Sequence, residues 1–74
     1  MNIAKILKNC PVGIKLYSPT YGEMEFKGIT TISENIHCIT KKGETYYFYP
    51  DGKYTDEGEC VLFPSKELRD WNDL

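Results

Sequence analysis

The sequence lacks most of the residues from which enzymes build an active site. It has a single histidine, His37, and the neighbouring Cys38 would lie on the opposite face of a strand, because successive strand side chains alternate. The six glycines are dispersed, so no glycine-rich phosphate loop is present. No spacing singles out a pair of carboxylates for acid–base catalysis. We therefore expect no catalytic residues and no enzymatic activity.

Metal-binding patterns are also missing from the sequence. The three cysteines, Cys10, Cys38 and Cys60, are far apart and form no Cys-x-x-Cys pair of the kind that favours zinc. The acidic stretch 51–59 lacks both the alternating aspartates and the terminal glutamate of a calcium loop. These absences predict no metal site, no cofactor and three reduced thiols.

The chain shows neither a secretory signal nor a run long enough to span a membrane. Residues 1–9 are too short and contain no apolar run followed by small residues. No apolar stretch approaches the roughly 20 residues that a membrane helix needs. An odd number of cysteines without an export signal is typical of a reducing compartment. We expect a cytoplasmic protein without a membrane partner.

Charge of either sign is moderate. Nine basic and eleven acidic residues give a formal net charge of −2 at pH 7. A general polyanion binder normally carries a basic face, so nucleic acid is not favoured as a partner. Five lysines nevertheless leave open an alternative, a structural or regulatory accessory protein with weak nucleic-acid contact: Lys5, Lys8, Lys15, Lys41 and Lys42.

The length and the hydrophobic periodicity predict one small, mainly β domain over residues 1–74. A helix is expected over 2–9, because Ile3, Ile6 and Leu7 share one helical face and Pro11 stops the segment. Five short segments with strand character follow, around residues 14–17, 23–27, 36–40, 45–49 and 60–63. They indicate a five-stranded antiparallel SH3-like barrel or bent sheet over 12–63. Ser65 is expected to cap a helical turn over 65–71.

A domain of this size has a thin core and a surplus of aromatic rings. A chain this short buries only about 60% of the surface that its unfolded form exposes, so a homo-oligomer would add buried area. In the run 46–49, Tyr-Tyr-Phe-Tyr, rings point to both faces of one strand, and only one face can belong to the core. The sequence does not decide which face that is. The other rings suit a binding surface, because tyrosine combines a rigid ring with a polar tip.

The candidate residues for ligand or partner binding come from these rings and from the C-terminal end of the chain. Trp71 has two possible roles, because it would either close the fold as a plug or dock a partner. The full candidate set is Tyr17, Tyr21, Tyr47, Tyr49, Tyr54, Arg69 and Trp71.

The C-terminal run 58–71, GECVLFPSKELRDW, together with ILKNCP at 6–11 and KLYSP at 15–19, resembles a known family. It is an uncharacterised family of small proteins from gut Bacteroidales bacteria and their phages, whose C-terminal motif is GECxLFPSKxxRDW. This chain departs from the family pattern with Asn9 in place of aspartate and Lys53 in place of arginine. The resemblance implies a phage or mobile-element origin, and with a phage origin the expected location is the host cytoplasm. It supplies no catalytic residues.

These observations predict a non-enzymatic small binding module. We expect a counter-defence protein that sequesters a nucleotide-like signalling molecule or blocks a host protein, and we expect it to be a homo-oligomer. The alternative remains the accessory protein with weak nucleic-acid contact. Surface aromatics in a concave site would favour the ligand binder, and a clustered basic stripe would favour nucleic acid.

Overall fold

The computed structural model describes residues 2–73 and consists mainly of one antiparallel β-sheet. The elements, in chain order, are α1 (Ile3–Leu7), β1 (Lys15–Ser18), β2 (Gly22–Ile29), β3 (Ile36–Thr40), β4 (Thr45–Phe48) and a 3₁₀ helix, η1 (Trp71–Asp73). The four strands lie in the order β1-β2-β3-β4, each antiparallel to its neighbours. The predicted mainly β fold with a short N-terminal helix is confirmed. No helix within residues 2–73 has the length and apolar character needed to cross a membrane.

Helix α1 begins with the predicted cap and is shorter than the predicted segment 2–9. The Asn2 side-chain oxygen accepts a hydrogen bond from the main-chain N–H of Lys5, at 2.9 Å. The helix ends at Leu7, because the amides of Asn9 and Cys10 donate three residues back instead of four. Such tighter bonds are usual in a last helical turn.

The first turn of α1 is attached to the turn that follows β4. The N–H groups of Ile3 and Ala4 both donate to the carbonyl of Pro50, at 2.7 and 3.0 Å. The first N–H groups of any helix have no hydrogen-bond partner inside the helix, and the Pro50 carbonyl provides a partner for two of them. Ile3, Ala4 and Leu7 are buried, and the helix therefore covers one end of the core, as its apolar stripe predicts.

The sheet has one buried face and one exposed, ionic face. The side chains on the buried face that contribute to the core are Leu16, Met24, Phe26, Ile36, Cys38 and Phe48. On the other face, the Glu25 carboxylate lies 3.8 Å from the Lys15 ammonium and 3.2 Å from the Lys27 ammonium. This alternation of buried and exposed side chains is the one expected for a sheet with one solvated face.

The fifth predicted strand, around 60–63, is not formed as a strand. Its two ends instead make isolated bridges, Cys60 with Lys53 and Phe63 with Tyr17. Because these two partners belong to different segments, the intervening residues have no single neighbouring strand with which to form a continuous ladder. The segment instead connects the turn after β4 to the free edge of β1.

The C-terminal helix lies at Trp71–Asp73, later than the predicted turn over 65–71. Ser65 does accept a hydrogen bond from the N–H of Leu68 through its side chain, at 2.8 Å, as a capping serine would. However, the amide of Ser65 donates forward to the carbonyl of Leu68, at 3.1 Å. A helical amide donates backward along the chain, so this closed loop prevents a helix from starting at Ser65.

Candidate functional site

The structure decides which face of the aromatic run 46–49 is buried. Phe48 is completely buried and Tyr46 is half-buried on the same side of the sheet. Tyr47 and Tyr49 lie on the opposite side, where they are 49% and 38% exposed. The second and fourth rings of the run are therefore the ones available to a ligand or partner.

Three of the predicted site residues line one open groove beside β4. Tyr47 and Tyr49 contribute their exposed rings, and Tyr54, which is 42% exposed, also lines the groove. Asn35 and Thr45 complete the lining, and the groove has a volume of about 310 Å³. We call these five residues the tyrosine groove.

A tight turn after β4 brings Tyr54 back to the strand. The amide of Tyr49 donates to the carbonyl of Lys53 and the amide of Gly52 donates to the carbonyl of Tyr49, both at 2.8 Å. Gly52 has a φ of +85°, the left-handed conformation that glycine adopts without steric cost. The chain therefore reverses within four residues, and the ring of Tyr54 lies 5.8 Å from that of Phe48.

A cluster of packed rings supports Tyr54 from behind. The ring of Tyr21 is stacked on that of Tyr46 with centroids 4.3 Å apart, and Tyr54 lies 5.2 Å from Tyr21 and 6.0 Å from Tyr46. The buried Ser18 hydroxyl accepts a hydrogen bond from the Tyr21 amide, at 3.3 Å, and so fixes the backbone at that ring. Burial, together with the nearby hydroxyls of Tyr54 and Tyr46, raises the pKa of Tyr21. Tyr54 is therefore held in place before any ligand arrives.

Tyr47 is also held in place, by a ring that the sequence did not identify as part of the site. His37 is its cross-strand neighbour, and the two rings are stacked with centroids 4.7 Å apart and an angle of 16°. His37 and Cys38 point to opposite faces, as the alternation predicts. The sequence could have predicted this pair through the register between β3 and β4, because the length of the connecting turn sets which residues lie opposite each other.

The Tyr49 end of the groove is acidic. A hydrogen bond to the Asp56 carboxylate, together with the negative charge of that carboxylate, raises the pKa of the Tyr49 hydroxyl. Tyr49 and Asp56 also line a neighbouring cavity of about 370 Å³, together with Asp51 and Lys53. The Lys53 ammonium lies 3.7 Å from Asp51, so the cavity holds one ion pair and one further carboxylate.

Two other candidates, Tyr17 and Arg69, lie at the opposite edge of the sheet. Tyr17 is on β1, and β1 and β4 are the two edge strands. The guanidinium of Arg69 lies over the rings of Phe63 and Tyr17, at 4.9 and 5.6 Å from their centroids. Such cation–π contacts attach the C-terminal segment to β1. These residues form no common site with the tyrosine groove.

The last candidate, Trp71, belongs to the core. Its side chain is only 4% exposed, and its indole nitrogen donates a hydrogen bond to the carbonyl of Leu62, at 3.0 Å. The structure therefore favours the fold-closing role over the docking role, because a buried ring offers no surface to a partner.

The chemistry available at these positions is that of binding surfaces. Cys38 is completely buried, and this burial raises the pKa of its thiol to about 12, so the thiol stays protonated near neutral pH. Over residues 2–73, no group of three or more histidine, cysteine, aspartate or glutamate side chains is placed to hold a metal ion. The tyrosine groove offers flat aromatic faces, hydroxyl groups and the Asn35 amide.

Comparisons of the chain with protein-family models, with curated proteins and with solved structures find no match.

Proposed function

We propose that the protein is a non-enzymatic binding module whose ligand site is the tyrosine groove. The observation that carries this proposal is that Tyr47, Tyr49 and Tyr54 line one groove with exposed rings. The rings of Tyr47 and Tyr54 are already packed against neighbours, so binding a ligand costs little additional side-chain entropy.

The ligand class that fits this groove best is a nucleotide-like molecule. A base stacked on an aromatic side chain gains on the order of 1–3 kcal/mol, and any base offers a suitable face. The Asn35 amide has both donors and an acceptor for the edge of a base. The carboxylates of Asp51 and Asp56 disfavour a phosphate near Tyr49, so we expect the base to occupy that end of the groove and the phosphates to point away from it.

Capture of a host protein is the second candidate function. It is favoured by the openness of the groove, since half-exposed tyrosines on a strand edge also suit a protein partner. The accessory protein with weak nucleic-acid contact is less favoured. Lys8, Lys15 and Lys41 each lie close to a carboxylate, which neutralises much of the positive charge on which that alternative depended.

The proposal extends to the architecture and the biological setting. We propose that the sheet closes into an SH3-like barrel, which is supported by the bridges that join the segment 60–63 to β1 and to the turn after β4. A phage or mobile-element origin, a role in counter-defence and a site of action in the host cytoplasm rest on the sequence resemblance. A non-enzymatic role is supported by the buried Cys38 thiol and by the binding chemistry of the groove.

The experiment is isothermal titration of the protein with adenosine monophosphate, guanosine monophosphate and cyclic di-adenosine monophosphate as probes. Tyr47→Ala and Tyr49→Ala are expected to weaken binding of the best probe by about tenfold or more, which corresponds to about 1.4 kcal/mol. Tyr17→Ala is the matched control, because it removes a tyrosine from the opposite edge strand. Thermal melts establish that each variant is folded.

Two results would contradict the ligand proposal. One is that none of the three probes binds the wild-type protein. The other is that Tyr17→Ala weakens binding as much as Tyr47→Ala does. Retention of a host protein on the wild-type chain but not on Tyr47→Ala, without binding of any nucleotide probe, would favour the second candidate function.

A further inference from the structure

The outer edge of β4 offers main-chain hydrogen-bonding groups that point away from the sheet. In the β3–β4 hairpin, the amide of Thr40 donates to the carbonyl of Glu44, at 2.9 Å. Because hydrogen-bonded positions alternate along an antiparallel ladder, Tyr46 and Phe48 face β3 with their main-chain groups. Thr45 and Tyr47 must then direct their N–H and C=O groups outward.

Only one end of this edge is covered by the returning chain. The Lys53 carbonyl accepts a hydrogen bond from the Tyr49 amide, so Lys53 lies beside the end of β4. Lys53 also forms a bridge with Cys60. In the sheet formed by residues 2–73, β4 is the last strand, and β3 is the only strand paired with it. The segment Thr45–Tyr47 is therefore an open strand edge.

Apart from its short length of four residues, this edge has little of the usual protection against pairing with another chain. Natural proteins protect edge strands with lysine, internal proline, bulges or covering loops. Residues 45–49 contain no charged side chain and no proline, and their register with β3 is free of bulges. An uncharged edge with four outward main-chain groups is suited to accept a further strand.

We propose that this edge pairs with β4 of a second copy of the chain, antiparallel and related by a two-fold axis. The charges at the two ends of β4 support this occupant and this direction. Before the strand, Lys41 is paired with Glu23 at 3.4 Å, and Lys42 is offset by Glu44, so this end is close to neutral. After the strand, Asp51 is paired with Lys53, and Asp56 and Glu57 leave this end negative. Antiparallel pairing places the acidic end of one copy beside Lys42 of the other and away from the second acidic end, and the same contact is repeated by symmetry. Parallel pairing would bring the two acidic ends together.

The dimer interface lies in the plane of the sheet and does not depend on the proposed ligand. Strand pairing uses main-chain groups, so the outward-facing rings of Tyr47 in both copies remain on the solvated face. The two exposed faces become continuous across the two-fold axis. Because Thr45 also lines the tyrosine groove, the mass of the particle is measured without ligand, and loss of the dimer is thereby distinguished from loss of ligand binding.

Sedimentation velocity over micromolar to millimolar concentration tests the dimer. The wild-type protein is expected to reach about twice the 8.6 kDa mass of one chain. Thr45→Lys places a charge on the open edge and is expected to raise the dissociation constant of the dimer at least tenfold. Thr31→Lys is the matched control, because Thr31 is exposed in the loop between β2 and β3.

A charge exchange tests the direction of pairing. Lys42→Glu alone and Glu57→Lys alone should each weaken the dimer at low ionic strength, and the double variant should restore it. Both side chains are exposed, so the fold is not expected to change. The proposal is overturned if the wild-type protein is a monomer at all concentrations. This holds also if the monomer binds an extended peptide at the same edge. A dimer that Thr45→Lys leaves unchanged, or one that the double exchange fails to restore, overturns it equally.

Discussion

The indole nitrogen of Trp71 donates a 3.0 Å hydrogen bond to the main-chain carbonyl of Leu62, and both side chains are buried. Leu62 lies in the segment 60–63, which makes only isolated bridges to the rest of the sheet. This contact therefore anchors the segment at a point where it has no continuous strand partner. Trp71 therefore stabilises the segment that connects β1 to the turn after β4.

Trp71→Ala should destabilise the fold by about 3 kcal/mol or more, because it empties a large buried volume in a thin core. Trp71→Phe keeps an apolar ring but loses the hydrogen bond and part of the buried volume, so it should cost less than Trp71→Ala, roughly 1–3 kcal/mol. Urea unfolding followed by circular dichroism measures both values. Unfolding of Trp71→Ala at the same urea concentration as the wild-type protein would show that the ring does not stabilise the fold.

Gly52 and Gly43 form a matched pair in two turns with the same hydrogen-bond pattern. Their φ angles are +85° and +88°, so alanine is strained by a similar amount at either position. At Gly52, a Cβ atom would also lie 2.7 Å from the Cys60 sulfur and 2.7 Å from Cδ1 of Ile3, whereas the space at Gly43 is open. Gly52→Ala should therefore be clearly more destabilising than Gly43→Ala, which should cost about 1 kcal/mol.

The difference between these two variants measures how tightly the turn after β4 packs against α1 and Cys60. Denaturant unfolding of both proteins under the same conditions provides the comparison. Equal losses of stability would mean that the helix and Cys60 move aside without cost. In that case α1 would not be held against the turn through Ile3.

The sequence predicted the parts of the fold that local chemistry controls. Asn2 caps α1 because its side chain reaches the amide of Lys5, which is a contact within one turn. The tight turn at Gly52 follows from a glycine with positive φ after proline and aspartate. Such features depend on neighbours in the sequence, so the residue types alone indicate them.

The parts that depended on distant contacts were less predictable. In the run 46–49, either Tyr46 and Phe48 or Tyr47 and Tyr49 could face the core, and both choices bury aromatic rings. Alternation alone therefore does not identify Phe48 as the buried residue. The stacking of His37 on Tyr47 depends on the β3–β4 register, and the position of Arg69 over Phe63 depends on the path of the C-terminal segment. The candidate set therefore combined residues from two opposite edges and from the core.

The three thiols should differ in reactivity while none of them is needed for ligand or partner binding. Cys38 is completely buried, whereas Cys10 and Cys60 are partly exposed. A disulfide-exchange reagent should modify Cys38 only when the protein unfolds and should modify the other two faster. Mass spectrometry of peptides after timed labelling gives the three rates. Rapid labelling of Cys38 in the native protein would show that the core opens at β3.

Cys38→Ala should lower the free energy of unfolding by about 1 kcal/mol or somewhat more near neutral pH, because it removes a small buried apolar group. Cys60→Ala removes a half-buried group and should cost less. Denaturant unfolding of the reduced proteins measures both values. A cost for Cys38→Ala below that for Cys60→Ala would contradict the burial of the Cys38 thiol in the core.

The Cys38 thiol should also make the stability of the protein depend on alkaline pH. Burial raises the pKa of this thiol from 9.0 to about 12, so below pH 9 it is protonated in both the folded and the unfolded state. Between pH 9 and pH 12 the unfolded chain loses the proton while the folded protein retains it, and the free energy of unfolding falls by up to about 1.4 kcal/mol per pH unit. Cys38→Ala lacks this contribution but keeps the tyrosines and lysines that titrate in the same range. The stability advantage of the wild-type protein over Cys38→Ala should therefore shrink between pH 9 and pH 10.5 in urea unfolding under reducing conditions, and a constant difference would mean that the folded thiol ionises as easily as the unfolded one.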